Sequence, residues 1–360
     1  MKKIGMFLDE IKDQNIDISE KFQKVGRNTG NLLFWHSLKT LPDLDVKSWW
    51  YINKPDKLNL NEYKAFITTD LIWIQEMADF SRLNKVLDIL GDLPLVPISI
   101  GVQANNFNPD FKLHPETVKV IKRISERCIM GVRGYYTAYI LAKYGIKNFE
   151  VIGCPSMYLP GVDFKKIGKN KILPQKIVAN FATFYGIQSK TRIDFLKYCA
   201  TQNFGFVEQC PFRISEKNIL DVTELSQIKT WIESQGNCFF DTKQWQEYMC
   251  DFDFSMGMRF HGNVMALWSG IPALFISYDS RTKELCDFYS LPNINIEEFD
   301  YSKPIERYYE LANYEIFLEH YNECKNNYVN FLQKNNLYNS DSFSTHCSTI
   351  KISNKPTAVL

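Results

Sequence analysis

The stretch SMGMRFHGNVMALWSGIPALFISYDSRTKE, Ser255 to Glu284, decides the fold. Phe254 to Phe260 reads as an apolar strand. His261 to Ser269 is dense in small and apolar residues and reads as a helix. Pro272 to Ser277 is a second strand, and a second helix begins near Arg281. Strand, helix and strand in so short a span imply a parallel pair with a helical crossover. The first strand-to-helix turn is unusual. Gly257 and Gly262 frame it and let the backbone come close to a ligand, yet between them stand Arg259 and His261. A helix N-terminus favours an anion, and an arginine adds a planar fork for carboxylate or phosphate. Histidine titrates near neutrality and can pass a proton. A structural alternative pairs Arg259 with Asp251 or Asp253 and makes His261 a helix cap.

The same strand, loop and helix rhythm runs through the whole chain and predicts an α/β protein with parallel strands. Strands are expected at 65–74, in the LPLVPISIGVQAN run, in CIMGVRG and in NFEVIGC. Helices are expected in MADFSRLNKVLDIL, in HPETVKVIKRISER behind Pro115, and in YYTAYILAKYG up to Gly145. After a lysine-rich linker, FKKIGKNKI, a second series repeats the pattern. This divides the chain into a first unit at 1–163, a second at 174–310, C-terminal helices at 311–337 and a loose polar tail at 338–360. The expected fold is two Rossmann-like domains facing an interdomain cleft. Ligands of open parallel sheets sit beyond the carboxyl ends of the strands.

At 360 residues, with 45% hydrophobic and 23% charged residues, the chain has the composition of a folded soluble protein. Its net charge of +1 offers no global field for nucleic acid. The nine cysteines form no CxxC pair, which argues against a zinc ribbon or a disulfide framework. The histidines show no metal-ligand spacing, and neither GxSxG nor HExxH occurs, so no metal is expected. The N-terminus has no apolar run of signal-peptide length, and no run suffices to span a bilayer. These features predict a cytoplasmic protein, with a peripheral contact at the inner face of the membrane left open.

Other candidate positions repeat the logic of the first turn. GVRGYYT places Arg133 at a strand exit in the first half, analogous to Arg259 in the second. VGRNTGNLLF presents Asn28 and Asn31 at the start of an apolar helix, and SIGVQANN presents Gln103 and Asn105. These four side chains suit a substrate such as a sugar or, in the plainer reading, Asn28 and Asn31 form an ordinary N-cap loop and Gln103 and Asn105 close a turn. In YDSRTKE, Lys283 suits a phosphate or, in the plainer reading, a solvated helix face.

Taken together, NTGNLL, GVRGYYTAYILAKYGI followed by VIGCPS, and the Ser255–Glu284 stretch resemble the polysaccharide pyruvyl transferases. The resemblance implies a GT-B-like fold. It implies transfer of pyruvate from phosphoenolpyruvate to a sugar as a cyclic ketal bridging two hydroxyls, with phosphate released. It implies that Arg133, Arg259 and His261 bind the donor. The residues themselves add Gly262 and Lys283 to the donor side, and the expected chemistry makes His261 and Arg259 catalytic with no cofactor beyond the co-substrate. The acceptor is a sugar on a lipid-linked oligosaccharide, a nucleotide sugar or a polymer. Two other readings compete: a GT-B glycosyltransferase using a nucleotide sugar, since fold does not fix function, and a non-catalytic glycan-binding subunit.

Overall fold

The computed structural model describes residues 2–168, 173–181, 189–211 and 222–338. Lys169 and Lys171 of the linker lie outside them. So does the expected tail except Tyr338, which is buried.

The first half is built on strands β1 (Lys3–Phe7), β2 (Leu44–Lys47), β3 (Tyr63–Thr68), β4 (Leu95–Pro97), β5 (Met130–Val132) and β6 (Phe149–Val151). Strands β2, β1, β3 and β4 lie side by side in that order, and β5 pairs with β6, all in parallel. A parallel bridge between Ile100 and Val132 joins the two sets. The helices are α1 (Ile18–Lys24), α2 (Asn31–Leu38), α3 (Leu83–Leu90), α4 (Pro115–Ser125) and α5 (Tyr135–Lys143). The second half carries β7 (Ile177–Phe181), β8 (Gly205–Glu208), β9 (Gly236–Asn237), β10 (Phe254–Gly257), β11 (Ala273–Ser277) and β12 (Asn293–Asn295). They form one parallel sheet in the order β9-β8-β7-β10-β11-β12. That is the doubly wound order of a dinucleotide-binding sheet, with its topological switch point between β7 and β10. Around it run α6 (Lys190–Thr201), α7 (Val222–Gln235), α8 (Thr242–Met249), α9 (Phe260–Trp268), α10 (Ser280–Tyr289), α11 (Ile305–Leu311) and α12 (Glu315–Lys334).

Strands β7 and β11 are buried along their whole length, as expected for parallel strands covered on both faces. The expected element types hold, but several boundaries move. The strand expected at 65–74 stops at Thr68, because the Thr68 hydroxyl accepts the Asp70 N–H and turns the chain. The helix expected from Met77 begins only at Leu83. Met77 has a left-handed φ of 57°, and the Phe80 N–H donates to Thr117 Oγ1 instead of a helical carbonyl. The long C-terminal pattern breaks between α11 and α12. Helix α12 then returns to the first sheet, where the Asn335 side chain bonds both the N–H and the carbonyl of Ile129 at 3.1 Å.

The two halves are also tied beside the cleft. The Ser280 N–H donates to the Ala104 carbonyl at 2.8 Å, and Ser280 Oγ accepts the Ala104 N–H at 3.0 Å. Gln103 Nε2 donates to Asp279, the N-cap of α10, and the Thr29 N–H donates to the Gln209 carbonyl. These bonds place the carboxyl ends of both sheets along one cleft.

Candidate active site

The Arg259 turn is held from below by a buried amide network. The Arg259 N–H donates to Asn180 Oδ1 at 2.9 Å, and Asn180 Nδ2 donates to Asn263 Oδ1 at 2.7 Å. Asn263 accepts a further bond from Ser255 and donates to the Gly257 carbonyl. Asn180 is the penultimate residue of β7 and Gly257 ends β10, so the network closes the switch point of the second sheet. Arg259 is the N-cap residue of α9, so the helix begins one residue before the expected His261. Asp253 does not receive the Arg259 side chain. Its carboxylate accepts the N–H groups of Gln175 and Lys176.

Arg133 leaves β5 and is buried. Its Nε donates to Ser99 Oγ at 3.1 Å and its Nη1 to the Ile72 carbonyl at 3.2 Å. Its Nη2 is buried and has no hydrogen-bond partner among the described residues, and the same holds for Gln209 Nε2. Both residues line one inner cavity of about 20 Å³ with Arg259, Arg281 and His261. Its wall among the described residues includes no carboxylate. Three arginines line this space, and two donors buried there, Arg133 Nη2 and Gln209 Nε2, lack a partner among the described residues, which makes the space a candidate anion site, since buried polar groups ordinarily find partners.

His261 lies buried among these cations. Burial, and then the charges of Arg133, Arg281 and Arg259, hold its pKa well below the usual 6.5, so the ring is neutral in the free site. Its Nε2 lies 3.5 Å from the Cys154 sulfur. Phe34 of α2 packs against the ring with centroids 5.5 Å apart.

The inner cavity shares Asn28, Asn31, Ile72, Arg259 and Arg281 with a wide cleft of about 1300 Å³. Of the four side chains expected to meet the acceptor, Asn28 and Asn31 stand in the shared wall, while Gln103 and Asn105 stand in the cleft wall. Trp35, Trp49 and Trp73 add aromatic surface to that wall. Arg192 stacks on the Tyr278 ring at 4.6 Å, and both line the cleft. Two expected donor contacts fall elsewhere. Lys283 pairs with Asp287 on the outer face of α10 and reaches neither wall; Arg281 takes that place. Gly262 lies under the cavity. A Cβ there would sit 2.7 Å from both Asn180 Cγ and Gln209 Nε2, so its service is close packing.

Directly behind Arg133, Glu284 of α10 accepts the N–H and hydroxyl of Thr137 at 3.0 and 2.7 Å, capping α5 from the other half. Gly134 is needed for this approach, as a Cβ there would lie 2.8 Å from Glu284 Oε2. Burial pushes the Glu284 carboxyl up to about 7, although the Thr137 bonds favour the charged form. The unfolded chain binds that proton only below about 4.5. The proton-linked stability is therefore full below pH 4.5 and is lost as pH rises through 7. Glu284→Gln is expected to be relatively more stable at pH 8 than at pH 5, by up to about 3 kcal/mol. Unfolding midpoints of both proteins at the two pH values check this, and an equal difference at both would refute it.

Among the described residues no three His, Cys, Asp or Glu side chains group as metal ligands. No described helix is long and apolar enough to cross a membrane. The described cysteines are all free thiols.

Two Rossmann-like parallel sheets whose carboxyl ends line one cleft define a GT-B-like α/β protein. The chain belongs to the polysaccharide pyruvyl transferase family, whose model matches residues 28–280. No curated protein matches it by sequence. Among solved structures it is similar to the S. aureus MnaA–UDP complex, at 10% identity over 92% of this chain and 98% of that one, TM-score 0.46. It is also similar to the UDP-GlcNAc 2-epimerase from Neisseria meningitidis bound to UDP-GlcNAc, at 12% identity over 93% and 100%, TM-score 0.45. A third likeness is to the glycotransferase of kitacinnamycin, at 10% identity over 94% and 98%, TM-score 0.42. These likenesses are distant, and the fold class rests on the strand order.

Proposed function

We propose that this protein transfers pyruvate from phosphoenolpyruvate to a sugar of a surface polysaccharide or its precursor, forming a cyclic ketal and releasing phosphate. One observation carries the reading. Arg133, Arg259 and Arg281 line one space with a neutral His261, and Arg133 Nη2 and Gln209 Nε2 are buried there without a partner among the described residues. Phosphoenolpyruvate carries a carboxylate and a phosphate on one small frame, which suits such a cradle. The donor sits against the inner wall and extends into the cleft. The acceptor sugar lies on the aromatic side, within reach of Asn28, Asn31, Gln103 and Asn105.

In this scheme His261 delivers a proton to the methylene carbon of the donor, and one sugar hydroxyl bonds to the adjacent carbon. The carbon–oxygen bond to phosphate then breaks, and the second hydroxyl closes the ring. Of the two hydroxyl protons, one ends on the new methyl group and the other leaves with phosphate. Arg259, Arg133 and Arg281 stabilise the charge gathering on the leaving group. The scheme asks for no cofactor beyond the co-substrate. It places the reaction in the cytoplasm, where a membrane-borne acceptor would meet the cleft at the inner face.

A thermal-shift titration tests the donor without knowledge of the acceptor, since a ligand of the folded state raises the melting temperature. Phosphoenolpyruvate is expected to give a saturable rise, lost in Arg259→Ala. A rise with UDP or GDP and none with phosphoenolpyruvate would replace this reading with a nucleotide-sugar glycosyltransferase.

A further inference from the structure

The VIGCPS motif has no part in the scheme so far, yet its cysteine touches the catalytic ring. Cys154 is fully buried; its sulfur lies 3.5 Å from His261 Nε2 and 3.2 Å from Ser156 Oγ. The backbone of Cys154 is fixed by Tyr289, whose hydroxyl accepts the Cys154 N–H at 2.8 Å and donates to its carbonyl at 3.1 Å. Gly153 before it has a left-handed φ of 72°, and a Cβ there would collide with Tyr289. The backbone of Cys154 is thus held in place, and its sulfur rests between Ser156 and His261. On the other side of the ring, Nδ1 has no hydrogen-bond partner among the described residues.

We propose that Cys154 is the positioning residue of His261: its thiol donates to Nε2, which fixes the proton of the neutral ring on Nδ1, the nitrogen left for substrate. The inference rests on His261 being the group that moves the proton. Its direction follows from the partners. A thiol is both a weak donor and a weak acceptor, but with the Ser156 hydroxyl donating to the sulfur its S–H is left to donate, and a bare imidazole nitrogen is a strong acceptor. The Ser156 hydroxyl can in turn donate to the sulfur, completing a line from Ser156 through Cys154 to His261. This arrangement answers a difficulty of the site. An imidazolium is disfavoured beside Arg133, Arg259 and Arg281, so the proton must be held on a neutral ring.

The relay balances. As Nδ1–H passes its proton to the methylene carbon, Nε2 takes the proton of the thiol, leaving a thiolate beside the Arg133 guanidinium. When the attacking sugar hydroxyl gives its proton to Nδ1, Nε2 returns its own to sulfur. The net result is one hydroxyl proton moved to the methyl group and an unchanged enzyme.

Nitrogen-15 NMR of the full-length protein labelled at histidine reads the tautomer directly and needs neither donor nor acceptor. The chain has five histidines, and loss of one signal in His261→Asn assigns the ring. The wild type is expected to show neutral His261 protonated on Nδ1 at pH 7. Cys154→Ser, whose hydroxyl can still donate, should keep that tautomer. Cys154→Ala should give a mixture or a switch to Nε2–H, while retaining the phosphoenolpyruvate thermal shift that shows the site is folded. A wild-type ring protonated on Nε2, or a tautomer unmoved in Cys154→Ala, would overturn the proposal. Failure of phosphoenolpyruvate to bind while the tautomer responds as expected would instead count against the donor assignment; the melting transition of each variant then reports its fold.

Discussion

His261→Ala is expected to lower turnover, read as phosphate released from phosphoenolpyruvate in the presence of acceptor, by two to four orders of magnitude. That is the usual contribution of a positioned general acid–base group, on the order of 10²–10⁴ in rate. Donor affinity should change only a few-fold. The reason lies in the charge of the ring. Burial and three arginines hold His261 neutral in the free site, so it adds no positive charge to the attraction of a doubly anionic donor. The attraction belongs to Arg133, Arg259 and Arg281, which the substitution leaves in place. The variant therefore separates binding from chemistry. Near-normal turnover would remove His261 from the proton path, and a loss confined to donor affinity would make it a binding group.

How much of this site was legible in the sequence follows from how local each signal is. The Arg259 turn was readable because strand, glycine frame, arginine and helix lie within a few residues of one another. Arg133 was readable by analogy, as a second arginine at a strand exit. Arg281 and Lys283 are two positions apart on one helix, roughly 200° around its axis, so only one of them can face the cleft. The sequence showed both. What decided between them was the docking of Ser280 on Ala104, a contact across 176 positions. Gln209, Asn180, Cys154 and Glu284 went unnoticed for the same reason. Each acts through a partner far away in the chain: Glu284 on Thr137, Cys154 on His261, Asn180 on Asn263. A polar residue directly after a buried strand, as in the Glu208–Gln209 pair, was the one local hint. The boundary errors have a similar origin. Thr68, Met77 and Thr117 settle them by side-chain bonds and a left-handed φ that apolar periodicity does not register.

Arg133→Met is expected to act in opposite directions on the empty and the loaded protein. In the empty protein the Arg133 guanidinium is buried with one nitrogen unpartnered, beside two other arginines and no described carboxylate in the cavity wall. Burying a guanidinium costs stability, and the nearby Glu284 carboxyl is itself pushed up to about 7 by burial, so replacing Arg133 with an apolar side chain of similar length is expected to be neutral or stabilising. The melting temperature of the free variant should therefore equal or exceed that of the wild type, even though the bonds to Ser99 and Ile72 are lost. On the proposed reading, the same guanidinium is the counter-charge of the donor in the loaded protein. Truncating one member of a desolvated charge pair costs about 2–5 kcal/mol, so phosphoenolpyruvate affinity should fall by at least about thirty-fold. The His261 pKa should also rise toward its usual value, because Arg133 is the leading charge that depresses it after burial. Arg133→Lys keeps the charge without the fork and should recover donor binding only in part. Calorimetric titration with phosphoenolpyruvate and thermal unfolding of the free proteins supply both readings. A variant that is less stable when empty yet binds the donor as well as the wild type would show that Arg133 is a structural strut. On the proposed reading, the donor supplies the counter-charge that Glu284, itself pushed up to about 7 by burial, gives only in part, and that accounts for the place of Arg133 beside the cleft.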